Sequence, residues 1–247
     1  MIYYEIAGSF INLHTMKIFI TGSTDGLGLL SAQALIARGH EVVLHARNEQ
    51  RKNELAQRST GAKDILTGDL SNIEETKTLA DKVNACGTFD AVIHNAGVYR
   101  TDAATLFTVN VLAPYLLTAL VNRPKRLVYL CSGMHMSGHE HAIKDTTYSD
   151  SKYDLLMLCK AVARMWPDVY ANAVDPGWVP TKMGGAGAPD DLEKGYETQV
   201  WLAESATVSG RYFFHKKEAR YHKGVDDVNA QERLLAICKE HTGIDFI

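Results

Sequence analysis

Residues 17–28 read Lys-Ile-Phe-Ile-Thr-Gly-Ser-Thr-Asp-Gly-Leu-Gly, an apolar β-branched run that breaks into a glycine-rich turn, and a helix-period stretch follows from Leu27 to Arg38. A strand that leaves through such a turn into a helix opens a βαβ unit. Gly22 lets the chain turn sharply out of the strand, Gly26 admits close approach of a pyrophosphate, and Gly28 lets helix and strand pack. Ser23, Thr24, Asp25 and Leu27 complete the turn, whose free N–H groups and positive helix end are expected to face phosphates. Three glycines at a helix start also suit a plain flexible turn, but the position between strand and helix favours a dinucleotide. Asp25 suits a phosphate site only if its carboxylate faces away or caps the helix that follows.

Working outward, the alternation of strand and helix continues. Strands are predicted at EVVLHA (41–46), KDILTG (63–68), FDAVIHN (89–95), RLVYLCS (126–132), VYANAVD (169–175) and GRYFF (210–214). Helices are predicted over 72–85, 103–121, 147–165, 191–204 and 226–241. Continuously apolar strands separated by helices imply a parallel sheet covered on both faces, because right-handed crossovers deposit helices there. The expected fold is α/β: a Rossmann-like, doubly wound parallel sheet of about seven strands in a single domain over residues 16–247. Residues 1–15 read as an upstream extension, with a short added edge strand as the alternative.

Composition narrows the function. The 247 residues are 46% hydrophobic and 22% charged with a net charge of −3, and no basic cluster offers a footprint for nucleic acid or an anionic membrane. The apolar run from Phe107 to Val121 holds Asn110 and Pro114 and is shorter than the roughly 20 residues of a membrane span, so it reads as a core helix. Cys86, Cys131, Cys159 and Cys238 are too scattered for a zinc site, and the first fifteen residues lack a basic n-region. A chain with free thiols in the cytoplasm, with no metal, is expected. His139 and His141 read as exposed loop residues.

The second strand ends His45-Ala46-Arg47-Asn48, where an NAD-binding unit would carry an acidic residue for the adenosine ribose. A guanidinium there suits a 2′-phosphate instead, so NADP(H) is expected over NAD(H). The plainer reading of Arg47 is a solvated charge at a strand end.

With these residues in view the sequence resembles the short-chain dehydrogenase/reductase family, in its single-domain branch. TGSTDGLG (21–28) is similar to that family's TGxxxGxG turn, Asp69-Leu70 to its adenine-side pair and Asn95-Ala96-Gly97 to its NAG motif. Asn110, Ser132 and the run Tyr148-Ser149-Asp150-Ser151-Lys152 resemble its catalytic Asn, Ser and YxxxK. Asp175-Pro176-Gly177-Trp178-Val179, followed by Thr181, resembles the PG motif beside the nicotinamide, and the tail resembles the retinol-dehydrogenase-like subgroup. The resemblance implies an NAD(P)(H)-dependent oxidoreductase acting on a small carbonyl or alcohol substrate. Members of that family often form a homodimer or homotetramer paired through helices that here would span 103–121 and 147–165; the alternative is that either helix faces solvent.

The residue types suit that chemistry. Carbonyl reduction needs a hydride at carbon and a proton at oxygen. A tyrosine with an ordinary pKa near ~10 can give that proton reversibly only beside a positive charge, which Lys152 supplies. Four residues apart on one helix, Tyr148 and Lys152 share a face, separated by roughly 6 Å of rise. Ser132 ends a strand and can hold the substrate oxygen, while Ser137 is an alternative because sixteen residues separate Ser132 from Tyr148. Pro114 has no N–H for the Asn110 carbonyl, so a kink there is expected to free that carbonyl for a water leading from Lys152. The glycines at 184, 185 and 187 suit either a mobile lid or a plain surface connection. A non-catalytic redox sensor would be marked by a broken Tyr/Lys pair, and a sugar-nucleotide epimerase by more chain after Asp175.

Overall fold

The structure is a computed structural model that describes residues 5–6, 9–10, 15–58 and 61–246. Most of the first fifteen residues, and with them the expectation of an upstream extension, lie outside the described residues. Glu5–Ile6 and Ser9–Phe10 pair antiparallel with each other in a two-stranded sheet of their own.

The main sheet is built from β1 (Lys17–Ile20), β2 (Glu41–Ala46), β3 (Asp64–Thr67), β4 (Ala91–His94), β5 (Arg126–Leu130), β6 (Tyr170–Asp175), β7 (Tyr212–Phe214) and β8 (Lys217–Glu218). Its order is β8-β7-β6-β5-β4-β1-β2-β3. The first seven strands in the chain run parallel, and only the two-residue β8 is antiparallel, at the edge. Consecutive parallel strands need long crossovers, and these supply α1 (Gly26–Ala37), α2 (Glu49–Ala56), α3 (Ile73–Ala85), α4 (Ala103–Leu120), α5 (Tyr148–Met165) and α6 (Leu192–Glu204). A last helix, α7 (Val228–Thr242), ends at Gly243 in the left-handed conformation, φ 71°.

Side chains alternate across the strands and fill two cores. Phe19, Val43 and Val92 face one side with α3, α4, α5 and α7, whereas Ile18, Ile20, Leu44 and Ile93 face the other with α1 and α6. From β1 the sheet grows one way through β2 and the other way through β4. That reversal opens a crevice at the carboxyl ends of β1 and β4.

Two helices depart from what the sequence predicts. In α4, residues Thr108–Leu112 form a π turn in which the Ala113 N–H bonds to the Thr108 carbonyl five residues back. The inserted residue makes Pro114 part of the first turn of a new α segment, Ala113–Leu120, where its missing N–H costs nothing. A π turn thus stands where a simple proline kink is expected. Helix α5, opened by a Thr147/Asp150 capping box, is covered by the sheet on one side and by α7 on the other, with Arg164 its one exposed residue. The pairing surface expected of this helix is therefore occupied within the chain.

Candidate active site

A cleft of about 1100 Å³ lies at the carboxyl edge of the sheet. Of the residues singled out in the sequence, Gly22, Thr24, Asp25, Gly26 and Leu27 form one wall and Arg47, Asp69 and Leu70 its far end. Asn95, Ala96 and Gly97 form the floor, and Ser132, Tyr148 and Lys152 stand opposite Pro176, Gly177, Val179 and Thr181. Ser23, Gly28, Asn48 and Asn110 do not line it, and each has a bracing role instead. The Ser23 hydroxyl donates to the Ile20 carbonyl at 2.8 Å and accepts the His45 N–H at 2.8 Å. Asn48 caps α2 through the Arg51 N–H at 3.0 Å. At Gly28 an added Cβ would sit 2.4 Å from Asn95 Nδ2 and 2.6 Å from the Gly22 carbonyl, so only glycine lets the helix approach the strand.

The turn is wired before any ligand arrives. Gly22 has φ +61°, and its N–H donates to His45 Nδ1 at 2.9 Å. His45 Nε2 in turn donates to the Gly68 carbonyl at 2.8 Å, which fixes the neutral tautomer; burial holds its pKa down at about 4. The expectation of free N–H groups in the turn therefore does not hold at Gly22, nor at Ser23, whose N–H donates to the His45 carbonyl at 3.2 Å, and a lone buried histidine at a strand end gave no signal of this in the sequence. Asp25 caps α1, accepting the Gly26 N–H at 2.7 Å, and it pairs with Lys182 and, at 3.3 Å, with Arg51. Burial raises its carboxyl, but those donors outweigh burial and hold it below the usual range. Arg47 is well exposed, with Nε 3.0 Å from Asp69 Oδ2. Arg51, which sequence reasoning missed, also reaches Thr24 Oγ1 at 3.3 Å.

The catalytic candidates converge. Ser132 caps the short 3-10 turn Gly133–Ser137 at the end of β5, accepting the Met134 N–H at 3.3 Å, and against the larger effect of burial its hydroxyl pulls the pKa of the Tyr148 phenol down. Ser137 is exposed and outside the cleft. Lys152 lies 5.6 Å from the Tyr148 ring centroid, with its ammonium donating to the Leu130 carbonyl at 2.8 Å. Burial pushes the Lys152 pKa down to about 8, against the pull of Cys131 and Asp175. Burial also pushes the Tyr148 phenol up, with only the Ser132 hydroxyl pulling against it. Burial outweighs that pull on the phenol in this structure.

Asn110 is fully buried. Its Oδ1 accepts the Val98 N–H at 2.8 Å, and its Nδ2 donates to the Val98 carbonyl at 3.0 Å and to Ser151 Oγ at 2.9 Å. The side chain clamps the loop after β4 to α5, behind the cleft. His135, also buried, donates from Nδ1 to the Ser132 carbonyl at 2.7 Å and accepts the His222 N–H on Nε2 at 3.2 Å, tying the C-terminal segment to the strand that carries Ser132. His139 is exposed as expected. His141 is not, its ring buried beside Asp154 at 3.7 Å and Thr146 Oγ1 at 2.9 Å. Residues 178–190 fold back on themselves: the Trp178 N–H donates to Asp190 at 2.6 Å and its indole to the Gly184 carbonyl at 2.8 Å. Among the described residues no group of His, Cys, Asp or Glu has metal-holding geometry.

Comparison with known proteins decides the family. Residues 16–191 match the family profile described as short chain dehydrogenase. The chain belongs to the short-chain dehydrogenase family. It is 41% identical to the short-chain dehydrogenase chry4 of Gibberella zeae, over 92% of this chain and 97% of that one. Two solved structures share the fold. The RhlG/NADP active-site complex of Pseudomonas aeruginosa has a TM-score of 0.70 at 19% identity, covering 82% of this chain and 97% of that one. The NADPH-dependent 3-quinuclidinone reductase of Rhodotorula rubra has a TM-score of 0.67 at 21% identity, covering 81% and 90%.

Proposed function

We propose that this short-chain dehydrogenase interconverts a ketone or aldehyde and its alcohol with NADP(H), using Tyr148 as the general acid and base. The observation that carries the reading is the meeting of Ser132, Tyr148 and Lys152 in the cleft that also holds the glycine-rich turn. The cleft fits a dinucleotide: Asn95 Oδ1 on its floor is buried without a partner, and Gly97 keeps open a space where a Cβ would stand 3.3 Å from both Asn110 Oδ1 and Lys152 Nζ. Arg47 brings a guanidinium to the far end of the cleft beside Asp69, which supports a 2′-phosphate there, and Arg51 stands nearby on Thr24 and Asp25 of the turn.

When bound, the reduced nicotinamide supplies the hydride. Ser132 holds the substrate oxygen and the Tyr148 phenol, which burial keeps protonated at neutral pH, gives that oxygen its proton. In the alcohol-oxidising direction the same phenol must lose its proton, and the buried Lys152 ammonium stabilises the phenolate from within the cleft. Because Lys152 loses its charge near pH 8, alcohol oxidation gains less from higher pH than an ordinary lysine would allow. The four thiols are free and three are buried, which supports a reducing cytoplasm.

The deciding experiment follows the absorbance of the reduced nicotinamide while aldehydes and ketones are screened with NADPH and NADH. Turnover favouring NADPH is expected. Dinucleotide binding with no turnover on any carbonyl would sink the enzymatic reading.

A further inference from the structure

The cleft has four cationic side chains in its walls, and three of them are engaged. Arg47 is paired with Asp69, Lys182 with Asp25, and Lys152 donates to the Leu130 carbonyl. The fourth, Arg100, has no carboxylate or hydrogen-bond acceptor among the described residues, and its guanidinium rests over the Tyr99 ring 5.2 Å from the centroid. The cleft's four carboxylates are all held elsewhere: Asp25 and Asp69 as above, Asp175 by the Gly177 N–H at 2.9 Å and the Tyr212 hydroxyl at 3.2 Å, and Asp190 by the Trp178 N–H at 2.6 Å. Arg100 also sits at φ 55°, in the left-handed region that few non-glycine residues adopt.

The cleft that Arg100 lines also exposes apolar side chains. Tyr99, Met134, Trp178 and Met183 line the cleft and are 37%, 46%, 60% and 49% exposed, and they make up four of the seven large hydrophobic side chains exposed among the described residues. Apolar exposure gathered at one opening marks a binding surface. The Tyr99 ring stands edge-on to the Tyr148 ring at 4.8 Å, so this opening leads to the catalytic phenol. The indole of Trp178 is fixed through its N–H to the Gly184 carbonyl, leaving ring surface open to a flat ligand.

Resting on the oxidoreductase reading above, we propose that the substrate is an aromatic carbonyl compound bearing an anionic group such as a carboxylate. Arg100 receives the anion, and Tyr99 and Trp178 receive the ring. The Tyr99 ring touches both the guanidinium, 5.2 Å from its centroid, and the Tyr148 ring, 4.8 Å away, so the anion site and the catalytic phenol are neighbours of one aromatic ring.

Three probes of nearly one shape and different charge test this: 4-acetylbenzoate, acetophenone and (4-acetylphenyl)trimethylammonium. Each is measured with the NADPH-loaded full chain, for binding by equilibrium dialysis and for kcat/KM. The carboxylate is expected to bind about tenfold better than the neutral ketone, and the cation worse. Arg100→Gln should bring the ratio between carboxylate and neutral ketone near one, Arg100→Lys should keep most of it, and Trp178→Ala should weaken all three probes. Equal binding of the three probes, or a ratio that survives Arg100→Gln, overturns the proposal. A binding preference present without turnover of any probe supports this assignment and counts against the oxidoreductase reading.

Discussion

The two ends of the cleft are built on opposite plans. At the phosphate end nearly every polar group already has a partner: Gly22 on His45, Asp25 on Lys182, Arg51 and the Gly26 N–H, and Arg47 on Asp69. At the opposite end Tyr99, Arg100, Met134 and Trp178 stand exposed. A site braced by its own hydrogen bonds suits a ligand that never changes, because little must reorder on binding. The open end leaves its contacts to be made by the incoming molecule, which is where relatives with one fold can differ in substrate.

Substitutions can break or sharpen that contrast. The largest effect belongs to the junction of the two ends: Tyr148→Phe removes the proton donor and should lower kcat by about 10²- to 10⁴-fold while NADPH affinity, measured by fluorescence titration, stays within about threefold. Retained turnover would remove Tyr148 from the chemistry. Lys152→Met should raise stability to urea at pH 7 by roughly 1–3 kcal/mol even as activity falls. Its pKa of about 8 in the folded chain lies below the ordinary 10.5, so the buried ammonium costs stability in full below about pH 8. The advantage of the variant should therefore fade as pH climbs from 8 toward 10.5.

Smaller effects belong to the braced end. Arg47→Ser should cut the preference for NADPH over NADH about tenfold, read from the two dissociation constants. An unchanged ratio would leave the 2′-phosphate to Arg51 or to nothing. Lys182→Ala removes an exposed ion pair to Asp25 and should weaken NADPH binding by no more than about fivefold. A larger loss would mean that the 178–190 segment holds the turn in place.

The braced end was also the legible one. Glycines at 22, 26 and 28 are dictated by backbone geometry and the strand pattern fixed which residues reach the carboxyl edge, while Asp69-Leu70, Asn95-Ala96-Gly97 and the stretch from Pro176 to Thr181 came from the family resemblance. Helix α2 escaped notice because EQRKNELA buries only Leu55 and shows no apolar stripe, and Arg51 was lost with it. The π turn at 108–112 leaves no trace in residue periodicity, and Pro114 signals a break without saying which kind. The partners of Asn110, the loop peptide at Val98 and Ser151, belong to tertiary packing that no local pattern encodes. Arg100 carries no sequence signal either, because only the partners of the other charged groups in the cleft set it apart.

His135 carries a consequence of its own. Its ring bridges two peptide groups, giving a hydrogen to one and taking a hydrogen from the other, and only the uncharged imidazole satisfies both. Burial, partly offset by the bond to Ser132, keeps its pKa below the ordinary 6.5, so the clasp contributes stability above that pH and loses it as acid titrates the folded ring. A second ring hydrogen would then point at the His222 amide, and hydrogen exchange at that amide should quicken in mild acid while the amides of the central strands stay protected. Souring the solution would thus unbutton the tail from the reaction chamber well before the sheet gives way.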